Sequence, residues 1–181
     1  MQLIRTGAGS GGTGCGTGKA RRGYAGFTLV ELAVVMTVFA IVMARGIPAI
    51  VDYLDNSALR RAASDLHHAA SVARSEAVKR NIRTELRVTA SGWSIYNMSV
   101  DPAALLRSGT LDPRASATPL TLDFASNGRT FPAGTQATVN VSMYGASCSD
   151  VVRCPAVRIT SGGSAAVCDP TKTAGAYGAC S

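Results

Sequence analysis

Three features of this 181-residue sequence predict an α+β fold in which one long N-terminal helix lies on an antiparallel sheet. Residues 27–44, FTLVELAVVMTVFAIVMA, form an apolar run with a single charge, Glu31. Apolar residues then recur at helical steps to about residue 80, and after residue 81 the period falls to two. With 46% apolar and 16% charged residues the chain can bury a core and is not a disordered polymer. One membrane-like stretch excludes a multi-span protein. Aromatics at 6%, with a single Trp93, argue against a large aromatic-lined cofactor pocket. The net charge of +7 invites a nucleic-acid reading, but four of the 18 cations (Arg5, Lys19, Arg21 and Arg22) precede residue 27. That leaves 14 cations against 11 anions, a mildly basic remainder.

Residues 1–26 are Gly-rich and polar and end in a basic cluster, with no hydrophobic period from which a core could form. A literal GxGxxG at Gly7, Gly9 and Gly12 has no preceding strand and no surrounding βαβ unit, so the dinucleotide reading fails on context. The small residue Gly26 stands before the apolar run, the reverse of the order in a secretory signal peptide. At 1.5 Å per residue the 18-residue run reaches about 27 Å, close to a hydrocarbon core of about 30 Å. Lys19, Arg21 and Arg22 ahead of it predict a cytoplasmic N-terminal side, and Arg45 lies where a long side chain snorkels to the far interface. Glu31 is the anomaly, because a carboxylate near the middle of a bilayer costs about 2.5–3.5 kcal/mol on insertion scales and less toward an end. Its bland explanation is a headgroup-level glutamate. Its functional one is a partner charge from outside the chain, which a cut after Gly26 would create as the new amino group of Phe27.

From Asp52 the helix becomes amphipathic. Leu59, Ala62, Leu66, Ala70, Ala73 and Ala77 make a narrow, Ala-rich stripe suited to close packing, and Asn81 is a plausible stop. A helix from about residue 27 to 80, bent near Pro48, is expected. Alternating segments follow at 84–89, 93–96, 120–124, 137–143 and 156–160, with turn dipeptides at 91–92, 127–128 and 162–163. Residues 101–119, with three prolines and no period, are expected to be loop. Cys15 stands alone, whereas Cys148, Cys154, Cys168 and Cys180 crowd the last 34 residues. Without a CxxC pair, and with His67 and His68 far upstream, that pattern predicts two disulfides and an oxidising compartment rather than a metal site. Three connectivities are open; pairing neighbours closes the shortest loops. No catalytic spacing of Ser/His/Asp, paired carboxylates or metal ligands is present, so neither an enzyme nor a cofactor is expected.

The stretch RRGYAGFTLVEL at 21–32 closely resembles the class III signal of type IV pilins and type II secretion pseudopilins. The shared features are basic residues, a glycine before an aromatic, and a glutamate five positions after that glycine. Pro48, at the twenty-second, falls where these families often place a helix-bending proline. Two departures are the long Gly-rich leader and Arg45 within the apolar segment. The segments at 59–66, 73–81, 92–93 and 124–130 are similar to the FimT/GspH minor pilin family, with matches scattered over nearly all of residues 21–168.

The resemblance implies a pilin-like fold in four parts: a leader at 1–26, a transmembrane and assembly half-helix at 27–50, an amphipathic half-helix at 51–81 and a β domain at 82–181. It implies cleavage between Gly26 and Phe27 by prepilin peptidase, N-methylation of Phe27, and a role for Glu31 and Pro48 in subunit register. The implied partners are other major and minor pilins or pseudopilins and the inner-membrane assembly platform. The implied location is the bacterial inner membrane, crossed once, with the C-terminal domain periplasmic, and then the filament. FimT-like members serve type IV pili, where the expected role is to prime or cap assembly; GspH-like members serve type II secretion. Some FimT-like members bind DNA for transformation through a basic Gly-Arg-x-Arg turn. Here Gly163 matches the glycine, but Ser164 and Ala166 occupy the arginine positions. Arg129, Arg153, Arg158 and Lys172, with Tyr144 and Tyr177 for stacking, remain as candidate DNA contacts.

Overall fold

The computed structural model describes residues 26–144, 148–149, 151–171 and 178–180, apart from the side chains at 45, 48 and 49. The chain divides into two units, residues 1–41 and 42–181. Helix α1 runs Leu29–Arg80 and continues through Pro48 without a break. It starts on a capping arrangement: the Thr28 hydroxyl accepts the Glu31 amide N–H at 3.2 Å, and Leu32 N–H bonds the Thr28 carbonyl at 3.1 Å. It ends at Asn81, in the left-handed region at φ 53°, where Asn81 N–H bonds Val78 O and Ile82 N–H bonds Ala77 O. That pair of bonds is a Schellman closure, which explains why the asparagine stops the helix.

In the first unit the side chains of α1 are exposed, Leu29, Val34, Phe39 and Ile41 among them. Among the described residues no helix is long and apolar enough to cross a membrane. The unbroken apolar stretch Leu29–Ala44, with Glu31 inside it, rises about 24 Å, short of the hydrocarbon core of about 30 Å.

In the second unit the Ala-rich stripe is the core face. Leu59, Ala62, Leu66, Ala70, Ala73 and Ala77 are all buried. Among the described residues nine strands follow: β1 (Thr84–Thr89), β2 (Gly92–Asn97), β3 (Ala104–Thr110), β4 (Ala115–Ala117), β5 (Leu120–Phe124), β6 (Thr130–Phe131), β7 (Ala137–Met143), β8 (Ala156–Ile159) and β9 (Ala165–Cys168). They make two antiparallel sheets, β3-β2-β1-β5-β6 and β4-β7-β8-β9, where one was expected. Leu86, Ile95 and Phe124 from the first sheet and Val139, Val141, Val157 and Ile159 from the second meet the helix stripe in one cluster. Thr84 is fully buried on this face and donates its hydroxyl to the Ala73 carbonyl at 3.0 Å, so the polar atom costs little.

Residues 101–119 are not loop, as expected, but carry β3 and β4. The reason is physical. β3 is an edge strand with both faces largely exposed, so it has no buried side to impose a period of two, and it pairs with β2 across a register shift at Ile95/Tyr96. β4 and β6 are too short to carry a period. β9 is a four-residue edge.

The two sheets lock together at their turns. Gly128 in the β5–β6 turn and Gly163 in the β8–β9 turn both have positive φ, at 76° and 79°. A Cβ on Gly163 would lie 2.0 Å from the Gly128 carbonyl oxygen, so only glycine allows the approach. Thr130 N–H then bonds the Ser161 carbonyl at 3.3 Å, joining sheet to sheet.

Candidate functional site

The N-terminal site is built on the first turn of α1. Gly26 and Phe27 precede the helix as exposed chain, Phe27 being 82% accessible. Glu31 is exposed and, among the described residues, forms no ion pair. Thr28 was not singled out from the sequence. Its signal was legible, since Thr-x-x-Glu ahead of an apolar run is a capping box pattern, and the Thr28 hydroxyl does accept the Glu31 amide. Glu31 also places an acid in the first turn, where the helix dipole favours it. What these residues offer chemically is an accessible peptide bond before an aromatic residue and a carboxylate one helical turn beyond it. Pro48 lies within the helix, and its backbone stays helical.

The cysteines resolve to the nearest-neighbour pairing. Cys148–Cys154 and Cys168–Cys180 are bonded, with Cα separations of 5.7 and 5.0 Å. The first ring is tied to the helix by Asn56, whose amide donates to Val151 O at 2.9 Å while its Oδ1 accepts Arg153 N–H at 3.1 Å. The second ring starts at β9, where Asp169 N–H bonds Gly178 O at 3.0 Å and Asp169 Oδ1 accepts the Thr171 amide and hydroxyl.

The candidate DNA contacts fall on separate elements. Arg129 is exposed in the β5–β6 turn, where its amide bonds Asn127 Oδ1 at 3.0 Å. Arg153 is exposed in the first disulfide ring, held through its backbone by Asn56. Arg158, half-buried in β8, donates to Gln136 Oε1 at 3.1 Å. Lys172 and Tyr177 lie outside the described residues; Tyr144 is exposed. The β8–β9 turn is closed by Gly163 N–H to Thr160 O at 2.8 Å and by a hydroxyl contact, Thr160 Oγ1 to Ser164 Oγ at 2.7 Å, and presents no arginine.

Several other charged groups form ion pairs. Glu76 is buried on the sheet side of α1. Its Oε2 accepts Arg80 Nε at 2.6 Å, and Oε1 faces the Arg107 guanidinium of β3 at 3.6 Å. The Arg80 hydrogen bond, with the charges of Arg80, Arg107 and Lys79, holds its pKa below the ordinary carboxylate value against the opposing effect of burial. On the outer face of the first sheet, Glu85 and Asp123 stand directly opposite each other. Arg87 takes Glu85 and stacks on Tyr96; Arg83 takes Asp123 and stacks on Phe131, each guanidinium 4.5 Å from the ring centre. A groove of about 490 Å³ between α1 and the β8–β9 turn is lined by Ser71, Arg74, Ser75, Val78 and the 163–165 segment. Among the described residues no three metal-binding side chains cluster.

A methylation-type N-terminus on a helix whose second half packs against antiparallel sheets defines a pilin-like subunit, and residues 21–44 match the prokaryotic N-terminal methylation motif. Residues 62–170 match the type II transport protein GspH family, and the chain belongs to that family. No curated protein matches it by sequence. Among solved structures, the type IV minor pilin FimU of Pseudomonas aeruginosa strain PAO1 is similar in its P21 crystal form, with a TM-score of 0.53 and 20% identity over 66% of this chain and 95% of FimU. Its P65 form gives a TM-score of 0.50 and 21% identity over 62% and 94%. At such identities the likeness is one of fold. Family and fold are those of structural pilins, not of enzymes.

Proposed function

We propose that the chain is a minor type IV pilin of the FimT kind, a filament subunit that primes or caps pilus assembly. In this reading prepilin peptidase cleaves between Gly26 and Phe27, and Phe27 is methylated. The segment to Ile50 then anchors the subunit once in the inner membrane, with the β domain periplasmic. Leu29–Ile50 is 22 residues of helix, a rise of about 33 Å, which suits a hydrocarbon core of about 30 Å with modest tilt. The observation that carries the reading is Glu31, an acid one turn into an exposed apolar helix and without an ion pair among the described residues. Removed from water, such a carboxylate is stable only with a partner, and an amino group at Phe27 of a neighbouring subunit supplies one and sets the register. The partners follow as other pilins and the assembly platform.

A second reading, a minor pseudopilin of type II secretion, is favoured by the family match over 62–170. It shares the processing and the anchoring. DNA capture gains no support, because the candidate arginines lie on separate elements and the turn at 160–164 has none.

The test is Glu31→Ala in the full chain. It is expected to reach the membrane fraction at normal levels and to be lost from sheared filaments. Normal incorporation sinks the proposal. Recovery of the unaltered chain with a secretion pseudopilus, and not with pili, selects the second reading.

A further inference from the structure

We propose that Asn127 is a site of spontaneous, irreversible modification that records opening of the joint between the two sheets. It stands in the one Asn-Gly pair of the sequence. Asparagine is a labile residue, most of all before glycine, which has no side chain to shield its nitrogen. The Gly128 nitrogen attacks Asn127 Cγ, its proton passes to solvent, and the side-chain amide leaves as ammonia. The cyclic imide that results then takes up water. Opening at Cγ gives aspartate. Opening at the Asn127 main-chain carbonyl gives isoaspartate, in which the main chain runs through the side-chain carboxyl and is one carbon longer.

The fold blocks this course while the joint is closed. Asn127 is exposed in the β5–β6 turn and open to water. Gly128 N–H, however, is engaged by the Ala125 carbonyl at 2.8 Å, and Asn127 Oδ1 accepts Arg129 N–H at 3.0 Å. Both bonds must break before the nitrogen meets the carbon. Closing the imide also rotates the main chain between Asn127 and Gly128, and Gly128 is buried with no room to follow. A Cβ on it would lie 2.9 Å from Val78 Cγ2 and 3.1 Å from Arg74 Nε. Its carbonyl abuts Gly163, where not even a Cβ fits. Thr130 holds the joint shut beside it, its hydroxyl reaching the Thr135 carbonyl at 2.7 Å and the Ser161 carbonyl at 3.2 Å. The amide is therefore inert while the turns touch and reacts when they part. The longer isoaspartate main chain does not fit back into so tight a contact, and an opened subunit stays marked.

The experiment holds the full chain in detergent micelles at neutral pH, with the β domain folded or unfolded in urea, and follows the tryptic peptide 115–129. That peptide contains no other asparagine. Conversion is read as the amide-to-acid mass change, and isoaspartate by labelling with an isoaspartyl methyltransferase. The unfolded chain is expected to convert about thirtyfold faster than the folded one, the factor that two net hydrogen bonds represent. Thr130→Val, which removes a buried hydroxyl from the joint, should speed the folded chain about fivefold. Refolded isoaspartate chain should show a lower urea midpoint than Asn127→Asp, which carries the same charge on a main chain of normal length. Equal rates in folded and unfolded chain, or a folded rate unmoved by Thr130→Val, overturn the gating by the joint. No conversion in the unfolded chain overturns the site itself, and an isoaspartate midpoint equal to that of Asn127→Asp overturns the lasting mark.

Discussion

Glu76 illustrates what single residues do here. The segment ARSEAVKRN places Arg80 one helical turn beyond it, and that i,i+4 pair forms. The third partner, Arg107, comes from β3 and has no trace in local spacing. Because the folded pKa of Glu76 is depressed, its stabilisation is fully present above the unfolded value of 4.5 and is lost as pH falls through the lower folded value. Urea midpoints should therefore drop on acidification below that value, and Glu76→Gln should flatten the drop while lowering stability at neutral pH. An unchanged acid limb in the variant would refute the assignment. Glu31 contrasts with it, being exposed and without an ion pair among the described residues.

At the scale of elements, α1 joins two different surfaces in one continuous helix. Its N-terminal part is apolar on every side and exposed, while its C-terminal part buries only one stripe. Alanines on that stripe let the backbone approach both sheets closely, so the few large side chains on it matter most. Leu66→Ala, at a fully buried position between the sheets, should cost about 2–5 kcal/mol, the range for a leucine cavity in a core. Chemical denaturation of the folded domain measures it, and a loss below ~1 kcal/mol would mean the stripe is not the core. The strand order also makes sense at this scale: β1, central in its sheet, turns Thr84, Leu86 and Val88 into the core, whereas edge β3 is largely exposed on both faces and so carries no period.

For the whole molecule, the two disulfides secure loop-rich chain that the sheets do not. Closing rings of 6 and 12 residues' separation should each contribute about 2–3 kcal/mol by restricting the unfolded chain. Reduction should thus lower the denaturation midpoint in two separable steps, seen with the Cys148→Ser/Cys154→Ser and Cys168→Ser/Cys180→Ser pairs. An oxidised protein whose mass is not four protons below the reduced chain would contradict both bonds. The first ring has the Asn56 clamp as a second tether, so its loss should leave the core intact and disturb mainly residues 148–154.

Local chemistry alone determined much of this protein. Hydrophobic period marked α1 and five of the strands, Asn81 marked the helix end, and the Gly26–Phe27–Glu31 spacing marked the N-terminal site, because each signal lies within a few consecutive residues. Cysteine crowding marked the disulfides but left their pairing open, since three connectivities satisfy the same spacing. Tertiary structure decided the rest. The joining of the two sheets at their turns depends on Gly128 meeting Gly163, 35 positions apart, and the edge strands β3 and β9 exist only because a central strand offers them hydrogen bonds. Burial of Glu76 needed Arg107, and the outward set of Val151 needed Asn56, 95 residues away. Contacts between residues so distant in sequence leave no period and no motif; they appear only when the chain closes on itself.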